Sequence, residues 1–416
     1  MQESHHFMLL RFQFSNFRSF RSEQELSMFP VHAKPGLTDP ALPAAAIYGA
    51  NASGKTNVIR ALKFMRDAVA NSHATWKPDA LIPREPFAGD EGGATPSQFI
   101  VDFLLEGTRH QYGFKVTSDA VVEEWLHVYP KGKRQTWFVR QSETDFTFGS
   151  KFKGENETIR GLTRRNSLFM SAAAQNNHEL LSPIYRWFSR SIRLVTGSRA
   201  LLQEQSAAFF KENELLDQLR EQVSLADLGV VDVRLSERPG QLNLLGPGKT
   251  SIGELMRRMM PTPEFQLFHR LGAKTVPFEN EQESAGTLAY LALLGPVLET
   301  LGRGGILCID ELDASLHPLL AIEIIKWFNA SSKSASSAQL IFTAHDTNLL
   351  SAGVLDRDQI WFTEKDHEGE SHLYPLSDFK TRKQENLERG YLQGRYGAIP
   401  LIGAGQVLAG LDEDHV

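Results

Sequence analysis

The sequence contains a single cysteine, Cys308, so it cannot form an intramolecular disulfide or a cysteine-rich zinc module. It also contains no run of 18 apolar residues, and its first residues lack the long apolar stretch and the small-residue cleavage site of a secretion signal. One buried thiol and no membrane segment are typical of a reducing compartment. We therefore expect a cytoplasmic protein that does not associate with a membrane.

An excess of positive charge is absent as well. The 44 Lys and Arg residues and 50 Asp and Glu residues of the 416-residue chain give a net charge of −6, which excludes a globally basic nucleic-acid binder. Residues 151–200 alone are locally basic, with nine Lys or Arg against three Glu. Two interpretations of this segment stay open: a groove that faces DNA, or a solvated or partner-facing helical surface.

Long heptad arrays and internal repeats are also missing, which excludes a coiled-coil arm and a solenoid. The hydrophobic pattern instead predicts an α/β fold. Alternating patterns predict an antiparallel sheet with the strands Gln98–Leu105, His110–Val116, Val121–Tyr129 and Gln135–Arg140. Near-continuous Ile and Leu runs in the last third, among them the strand Gly305–Ile309, predict a buried parallel sheet. We divide the chain into residues 1–145, an inserted helical or lid region 146–280, and residues 281–416.

The most specific motif runs from Gly49 to Thr56 and matches G-x-x-x-x-G-K-[ST] between a predicted strand and a predicted helix. Such a loop turns successive backbone N–H groups toward a phosphate chain, and the start of the helix adds positive potential. Lys55 would reach the outer phosphates, and Thr56 would offer its hydroxyl to Mg²⁺. The sequence therefore predicts an ATP site with these residues: Gly49, Asn51, Ser53, Gly54, Lys55, Thr56 and Asn57.

A second motif supplies the acids that such a site needs. The apolar run Ile306–Ile309 is followed directly by Asp310 and Glu311. A buried strand would place Asp310 at its carboxyl end as a Mg²⁺ ligand, and Glu311 would orient and deprotonate the attacking water. We therefore predict Asp310 and Thr56 as the metal residues and Glu311 as a catalytic residue.

Three shorter segments complete the pattern. Residues 312–318 follow the acid pair, Thr343–Asp346 lies at the end of the next buried strand, and Ser284–Thr287 opens a helix before the acid pair. An ordinary serine N-cap is the alternative interpretation of Ser284.

The order of these motifs resembles the ABC-type ATPase heads of the SMC, RecF and OLD kind. The opening segment Asn16–Phe20 fits the resemblance, and so do Asp378-Phe379 and the segment Tyr391–Pro400, which are similar to the bacterial AAA15, or AbiLi-like, group found in phage-defence operons. The implied architecture is a P-loop head with a parallel core sheet, an antiparallel β-subdomain and a short helical insertion in place of a coiled coil.

The resemblance implies a homo-oligomer built from head-to-tail dimers that hold two ATP molecules between them. Ser284, Gly286 and Thr287 would be the signature motif that reaches the nucleotide of the other subunit, although this motif reads Ser-Ala-Gly-Thr rather than Ser-Gly-Gly-Gln. His345 would sense the γ-phosphate as a catalytic residue, and Asp313 would lie in the loop that crosses the dimer interface.

Other roles remain open at this stage. Arg18 would approach the phosphates or lie on the surface, and Gln175 would be either a glutamine of the magnesium site or an exposed helix residue. Neither His317 nor His372 has metal-ligand spacing, so we expect no nuclease centre.

By resemblance, the chain would be an antiphage ATPase switch that controls a separate, operon-encoded toxin or nuclease, with DNA or a phage protein as its trigger. The alternatives are a RecF-like or SMC-like clamp on DNA and a scaffold that binds nucleotide without hydrolysing it.

Overall fold

The computed structural model describes residues 7–31, 40–89, 95–195, 199–212, 215–226, 229–238, 261–314, 316–331, 337–380 and 385–399. Ser315 in the loop after the acid pair and Pro400 at the end of the C-terminal segment lie outside these ranges. Within them the chain forms a mixed α/β fold with parallel and antiparallel sheets, which confirms the predicted fold class.

The core sheet has six strands in the order β16-β15-β3-β14-β13-β9. Five of them are parallel, and β16 pairs with β15 in an antiparallel hairpin. Because the parallel strands share one direction, their carboxyl ends meet at one edge, where the P-loop follows β3 and the acid pair follows β13. The strands are β3 (Ala44–Gly49), β9 (Ile192–Val195), β13 (Gly305–Ile309), β14 (Ala338–Thr343), β15 (Ile360–Lys365) and β16 (Ser371–Pro375).

The second sheet has seven antiparallel strands in the order β2-β1-β4-β5-β6-β7-β8, as the alternating pattern predicts. Its large inward side chains, such as Phe12, Phe99 and Phe114, form a single core with the first helix and with one face of the parallel sheet. The strands are β1 (Phe7–Ser15), β2 (Gln24–Ser27), β4 (Ser97–Leu105), β5 (Thr108–Val116), β6 (Val121–Tyr129), β7 (Gln135–Arg140) and β8 (Phe146–Phe148).

Helix α1 (Lys55–Asn71) lies in this first core, and other helices cover the opposite face of the parallel sheet. One of them, α7, has the length and apolarity to cross a membrane, but 61% of its apolar window is buried inside the molecule. It contains Pro296, whose carbonyl accepts a 2.8 Å hydrogen bond from Thr300 Oγ1. The helices of this layer are α5 (Arg199–Glu212), α7 (Ala285–Arg303), α8 (Pro318–Ser331), α9 (Asn348–Ser351) and α10 (Leu387–Leu392).

The region between residues 146 and 280 is less helical than its sequence predicts. A continuous helix is expected from residue 167 to residue 188, yet α3 ends at Gln175 because Asn177 has a left-handed backbone with φ of 55°. The remaining elements are α2 (Asn156–Leu162), α3 (Phe169–Gln175), α4 (Ser182–Arg186), a π-helical turn (Trp187–Ser191), α6 (Leu216–Leu225), and β10 (Val230–Arg238), β11 (Thr262–Leu271) and β12 (Lys274–Phe278) in a three-stranded sheet.

The same region also contributes strands to both large sheets, because β8 extends the antiparallel sheet and β9 pairs with β13. The boundaries 1–145, 146–280 and 281–416 stay a prediction.

Candidate active site

The loop between β3 and α1 has the geometry of a phosphate cradle. Gly54 caps α1 with φ of 115°, and a Cβ on Gly49 would lie 2.3 Å from the carbonyl oxygen of Thr363. Glycine is therefore required at both positions. Ser53 Oγ lies 2.7 Å from Thr363 Oγ1, which fixes the turn against β15. Asn51 at the loop tip is exposed to solvent.

Lys55 closes this loop. Its Nζ donates hydrogen bonds to the carbonyl oxygens of Gly49 at 2.7 Å and Ala50 at 3.0 Å. Burial lowers the pKa of Lys55, while the carboxylates of Glu311 and Asp310 act in the opposite direction. The ammonium group thus lies between the loop and the carboxylates of Glu311 and Asp310. At this position an anionic ligand would contact the ammonium group, and a cation bound to that ligand would contact the carboxylates.

Asp310 joins the P-loop helix to the core sheet. Its Oδ1 accepts a hydrogen bond from Thr56 Oγ1 at 3.1 Å and another from Thr343 Oγ1 at 2.7 Å. A carboxylate and a hydroxyl this close together are the hard oxygen ligands that suit Mg²⁺. The predicted metal pair, Thr56 and Asp310, is therefore assembled, and its chemistry fits the ion.

Glu311 has an unusual backbone for a residue other than glycine, with φ of 55°. Its N–H donates to Thr343 Oγ1 at 2.7 Å, and its carboxylate Oε1 lies 3.7 Å from His345 Nε2. Both side chains are about half exposed, at 54% and 41%. The structure therefore brings together the two predicted catalytic acid–base residues, and it adds Thr343 as the residue that joins Asp310 to Glu311.

Thr343 received no role in the sequence interpretation. The signal available was its position at the end of a buried strand next to the acid-pair strand, but a threonine there is equally typical of a strand end. Its importance depends on a cross-strand contact that the sequence alone does not reveal.

A cavity of about 420 Å³ opens beside this cluster. Thr56, Asp310 and Glu311 form one side of it, and Arg60 and Lys63 of α1 lie along the same wall. Its other lining residues are apolar and come from α1, β9, α5, α7, β13 and the loop after Glu311. The residues predicted to hold Mg²⁺ and the predicted catalytic glutamate are thus accessible from this side.

Asp313 organises the loop that carries His345. Its Oδ2 accepts hydrogen bonds from the backbone N–H groups of His345 at 2.8 Å and Asp346 at 2.5 Å. Its Oδ1 is buried and has no hydrogen-bond partner among the residues that the structure describes. Burial raises the pKa of Tyr48, and the nearby carboxylates of Asp313 and Asp346 raise it further. Asp313 therefore fixes the position of His345 within its own chain.

The segment Ser284–Thr287 forms the start of α7. Ser284 Oγ accepts from Thr287 N at 3.0 Å and lies 2.9 Å from Thr287 Oγ1, so Ser284 is a true N-cap. Ser284 itself is exposed and Gly286 is half-buried. Of the three predicted signature residues, only Ser284 is thus exposed, and the Thr287 side chain is buried.

Asn57 and Arg18 lie at the edge of the site. Asn57 Nδ2 donates to Ser19 Oγ at 2.9 Å, which ties α1 to the turn after β1. Arg18 forms an ion pair with Glu85. Gln175 ends α3 and is exposed, in agreement with the interpretation as an exposed helix residue. The Asn57 amide is therefore already used to hold this turn. The predicted contact between Asn57 and the nucleotide stays a prediction.

The basic segment 151–200 is largely used within the fold. Arg164 donates to the carbonyl oxygens of Ser72, His73 and Trp76. Four further arginines bind their own chain: Arg160 pairs with Glu157, Arg165 with Asp119, Arg193 with Glu299, and Arg186 bonds Ser182 O. This pattern favours structural roles for these arginines over a continuous basic groove that faces DNA.

His372 requires a correction. The structure brings candidate ligand atoms of Asp366, Glu370 and His372 within 4.8 Å of one another on the β15–β16 hairpin, although the sequence spacing of His372 indicated no such group. The hydrogen bond from His372 lowers the pKa of Asp366. The turn of the hairpin folds back and joins these residues. Cys308, in contrast, is a buried core residue as predicted, and burial raises the pKa of its thiol to about 12.

Comparison with known proteins identifies an AAA domain in this chain. Residues 44–351, well over half of the chain, match the family model described as "AAA domain, putative AbiEii toxin, Type IV TA system". None of the curated proteins compared with the chain matches it.

Solved structures similar to the chain include three SMC heads. One is the SMC head bound to the C-winged helix domain of ScpA, 16% identical, covering 88% of this chain and 97% of that chain with a TM-score of 0.46. Another is the SMC head domain from Thermotoga maritima, 13% identical, with coverages of 88% and 98% and a TM-score of 0.42. The third is the Smc head with an extended coiled coil bound to the C-terminal domain of ScpA derived from Pyrococcus furiosus, 13% identical, with coverages of 94% and 99% and a TM-score of 0.42.

Proposed function

The chain belongs to the AAA-domain family named for the AbiEii toxin of type IV toxin–antitoxin systems, and from this premise we propose that it is a Mg²⁺-dependent ABC-type ATPase that works as a switch. The observation that carries the proposal is the Thr343 hydroxyl, which joins Asp310 and Glu311 directly beside Thr56 of the P-loop. This arrangement combines a phosphate cradle, a metal pair and a general base.

Each residue has a distinct part in the proposed reaction. The P-loop backbone and Lys55 hold the β- and γ-phosphates and stabilise the charge that develops during phosphoryl transfer. Thr56 and Asp310 hold Mg²⁺, which neutralises the phosphate oxygens when bound. Glu311 orients a water molecule and accepts its proton, and His345 donates to the γ-phosphate.

We propose that hydrolysis takes place in a head-to-tail dimer. Ser284, Gly286 and Thr287 of one subunit would contact the γ-phosphate held by the P-loop of the other, and Thr287 N together with the start of α7 would add positive potential. The exposure of Ser284 and of the Glu311 and His345 side chains is consistent with an interface that a second head completes.

In the cell, we propose a cytoplasmic role in antiphage defence. ATP-bound dimers would hold a separate toxin or nuclease inactive and release it when DNA or a phage protein binds. The alternative is a clamp on DNA of the RecF or SMC kind. The internal contacts of Arg164 and Arg193 leave fewer free cations for phosphate contacts in residues 151–200, which favours the first role.

The central experiment measures ATP hydrolysis and particle size by light scattering for the wild-type chain, Lys55→Ala and Glu311→Gln, each with and without ATP and Mg²⁺. We expect Glu311→Gln to lose hydrolysis but accumulate an ATP-dependent dimer, and Lys55→Ala to lose both. Equal behaviour of all three proteins would contradict the proposal and favour a nucleotide-binding scaffold.

A second measurement separates the two cellular roles. A DNA clamp predicts ATP-dependent DNA binding whose affinity falls steeply with salt concentration. A defence switch predicts instead that co-expression with the neighbouring toxin or nuclease gene suppresses its toxicity only when Lys55 is intact.

A further inference from the structure

A groove of about 380 Å³ lies where the edges of the two large sheets approach each other. Strand β2 is the edge of the antiparallel sheet, and β16 is the edge of the core sheet. The two edges are joined by Gln24, whose Oε1 accepts a hydrogen bond from Leu373 N at 2.7 Å. The groove contains none of the residues of the P-loop, the acid pair or the His345 loop, so it is separate from the ATP site.

The rim of this groove is strongly acidic. Glu23, Glu25, Asp358 and Asp378 line it, and none of the lining residues that the structure describes is Lys or Arg. Part of this charge is compensated, since Glu25 lies 3.5 Å from Arg11 and Asp358 accepts a hydrogen bond from Val31 N at 3.0 Å. Glu23 and Asp378 are exposed. A ligand of positive charge therefore fits this rim, and nucleic acid is repelled from it.

The floor of the groove is apolar. Leu373 is buried there beside Tyr374, and the apolar side chains of Phe29 and Val31 are 40% and 57% exposed along the groove. Exposed large apolar side chains beside an acidic rim are typical of a protein–protein contact rather than of an ordinary surface.

A buried hydrogen-bond donor adds an independent observation. Trp361 lines the groove and is 5% exposed, and its Nε1–H has no acceptor within the described part of the chain. An indole N–H only donates, and a buried donor without an acceptor is destabilising by about 1–3 kcal/mol. A carbonyl oxygen supplied by a ligand would satisfy it.

We infer that this groove binds a short basic segment of a partner protein. Its Lys or Arg side chains pair with Glu23 and Asp378, its apolar side chains contact Phe29 and Leu373, and one backbone carbonyl accepts from Trp361. A polyamine carries the charge but has no carbonyl for the indole. The inference goes beyond the proposed ATPase activity and does not depend on it.

The test measures binding of a fluorescent peptide of about ten residues that alternates Lys or Arg with Leu to the full-length chain by fluorescence anisotropy. We compare the wild type with Glu23→Gln/Asp378→Asn and with Trp361→Phe. The matched control is Glu157→Gln/Glu237→Gln, which removes two exposed carboxylates outside the groove. The same peptide with Glu in place of Lys and Arg, and spermine, serve as competing probes.

We expect the rim variant to weaken peptide binding about tenfold or more and to reduce its salt dependence. Trp361→Phe weakens binding several-fold and leaves the salt dependence unchanged, and the control variant binds like the wild type. Thermal melts verify that each variant is folded.

Three results overturn the inference: equal loss in the control variant, equal binding of the acidic peptide, or full competition by spermine together with unchanged binding by Trp361→Phe. The last result would assign the groove to polyamines. None of these readouts involves ATP hydrolysis, so failure here is distinguishable from failure of the proposed ATPase.

Discussion

At the residue scale, the most informative side chain is Thr343. It is fully buried, its hydroxyl donates to Asp310 Oδ1, and it accepts the N–H of Glu311, which has a left-handed backbone. A left-handed backbone is unfavourable for glutamate by about 1 kcal/mol or more, so an external contact must hold it. Thr343 therefore positions both Asp310, the proposed metal ligand, and Glu311, the proposed general base.

We predict that Thr343→Val lowers kcat for ATP hydrolysis about tenfold or more, because about 1.4 kcal/mol of lost positioning corresponds to that factor. Thr343→Ser retains the hydroxyl and is expected to keep most of the activity. The KM for ATP should change little in both variants, since Lys55 and the loop backbone bind the phosphates. Steady-state kinetics over a range of Mg²⁺ concentrations provide the measurement.

The control for this prediction is Thr300→Val, which removes another buried hydroxyl, bonded to the carbonyl oxygen of Pro296 within α7. It should lower stability without changing the Mg²⁺ dependence. If Thr343→Val and Thr343→Ser lose activity equally, the hydroxyl does not position the acid pair.

A second residue, His127 in β6, predicts a pH dependence of stability. Burial lowers its pKa to about 4, and Arg134 contributes in the same direction. Arg134 donates to His127 Nε2 at 2.7 Å, and Thr136 Oγ1 lies 3.2 Å from Nδ1, so the neutral ring fits this environment. Between this pKa and about 6.5 the unfolded chain binds more protons than the folded chain, and stability falls as pH falls.

Lowering the pH from about 7 to about 5 should therefore decrease the free energy of unfolding by about 1 kcal/mol through His127, after allowance for solvent screening. Urea denaturation of the wild type and His127→Asn at both pH values measures this effect. The variant should lose about that much of the pH dependence, whereas substitution of the exposed His367 by Asn should lose none. An identical pH dependence in all three proteins would contradict the prediction.

At the element scale, two roles of the start of α7 can be tested separately: capping of the helix and contact with a second subunit. Ser284 caps the helix, so Ser284→Ala should lower the free energy of unfolding by about 1 kcal/mol. Ser284→Asp retains a capping oxygen and should preserve stability, yet its carboxylate would repel a γ-phosphate presented by a second subunit. We expect it to bind ATP but not to form the ATP-dependent dimer, as measured by nucleotide titration and light scattering. A dimer formed normally by Ser284→Asp would remove the start of α7 from the interface.

Elements with a strong hydrophobic period could be predicted from the sequence. The strands Val121–Tyr129, Gln135–Arg140 and Gly305–Ile309 have the predicted boundaries, because alternation or continuous burial marks both of their ends. Helix α1 also begins at the predicted Lys55, since the P-loop determines its first turn.

Other elements could not be predicted for identifiable reasons. Strand β12 includes Pro277, which is atypical of a strand and suits only an edge, and β12 is an edge strand. The break after α3 depends on Asn177, which has a left-handed backbone. Asparagine tolerates this backbone but does not require it, so its presence in the sequence does not predict a break. In the site, the motif residues were predictable, whereas Thr343 and the contact between Asn57 and Ser19 depend on tertiary packing.

At the scale of the whole molecule, the proposed dimer has a consequence that no single chain can show. Each ATP site would combine Lys55 and Glu311 of one subunit with Ser284 of the other. A heterodimer of Lys55→Ala and Ser284→Asp would therefore have one site with both defects and one site with none.

We predict that mixing these two inactive variants restores ATP hydrolysis to at most about half of the wild-type rate, because neither variant forms a homodimer and each heterodimer has one intact site of two. Mixing Lys55→Ala with Glu311→Gln provides the matched control. Both residues belong to the same half of a site, so every site in that heterodimer keeps one defect and no activity returns. Hydrolysis measured across mixing ratios should peak at equal amounts of the two variants. If the first mixture stays inactive while Ser284→Asp still binds ATP, the segment Ser284–Thr287 does not act across the dimer. The site around Glu311 and His345 must then be formed by residues of one chain.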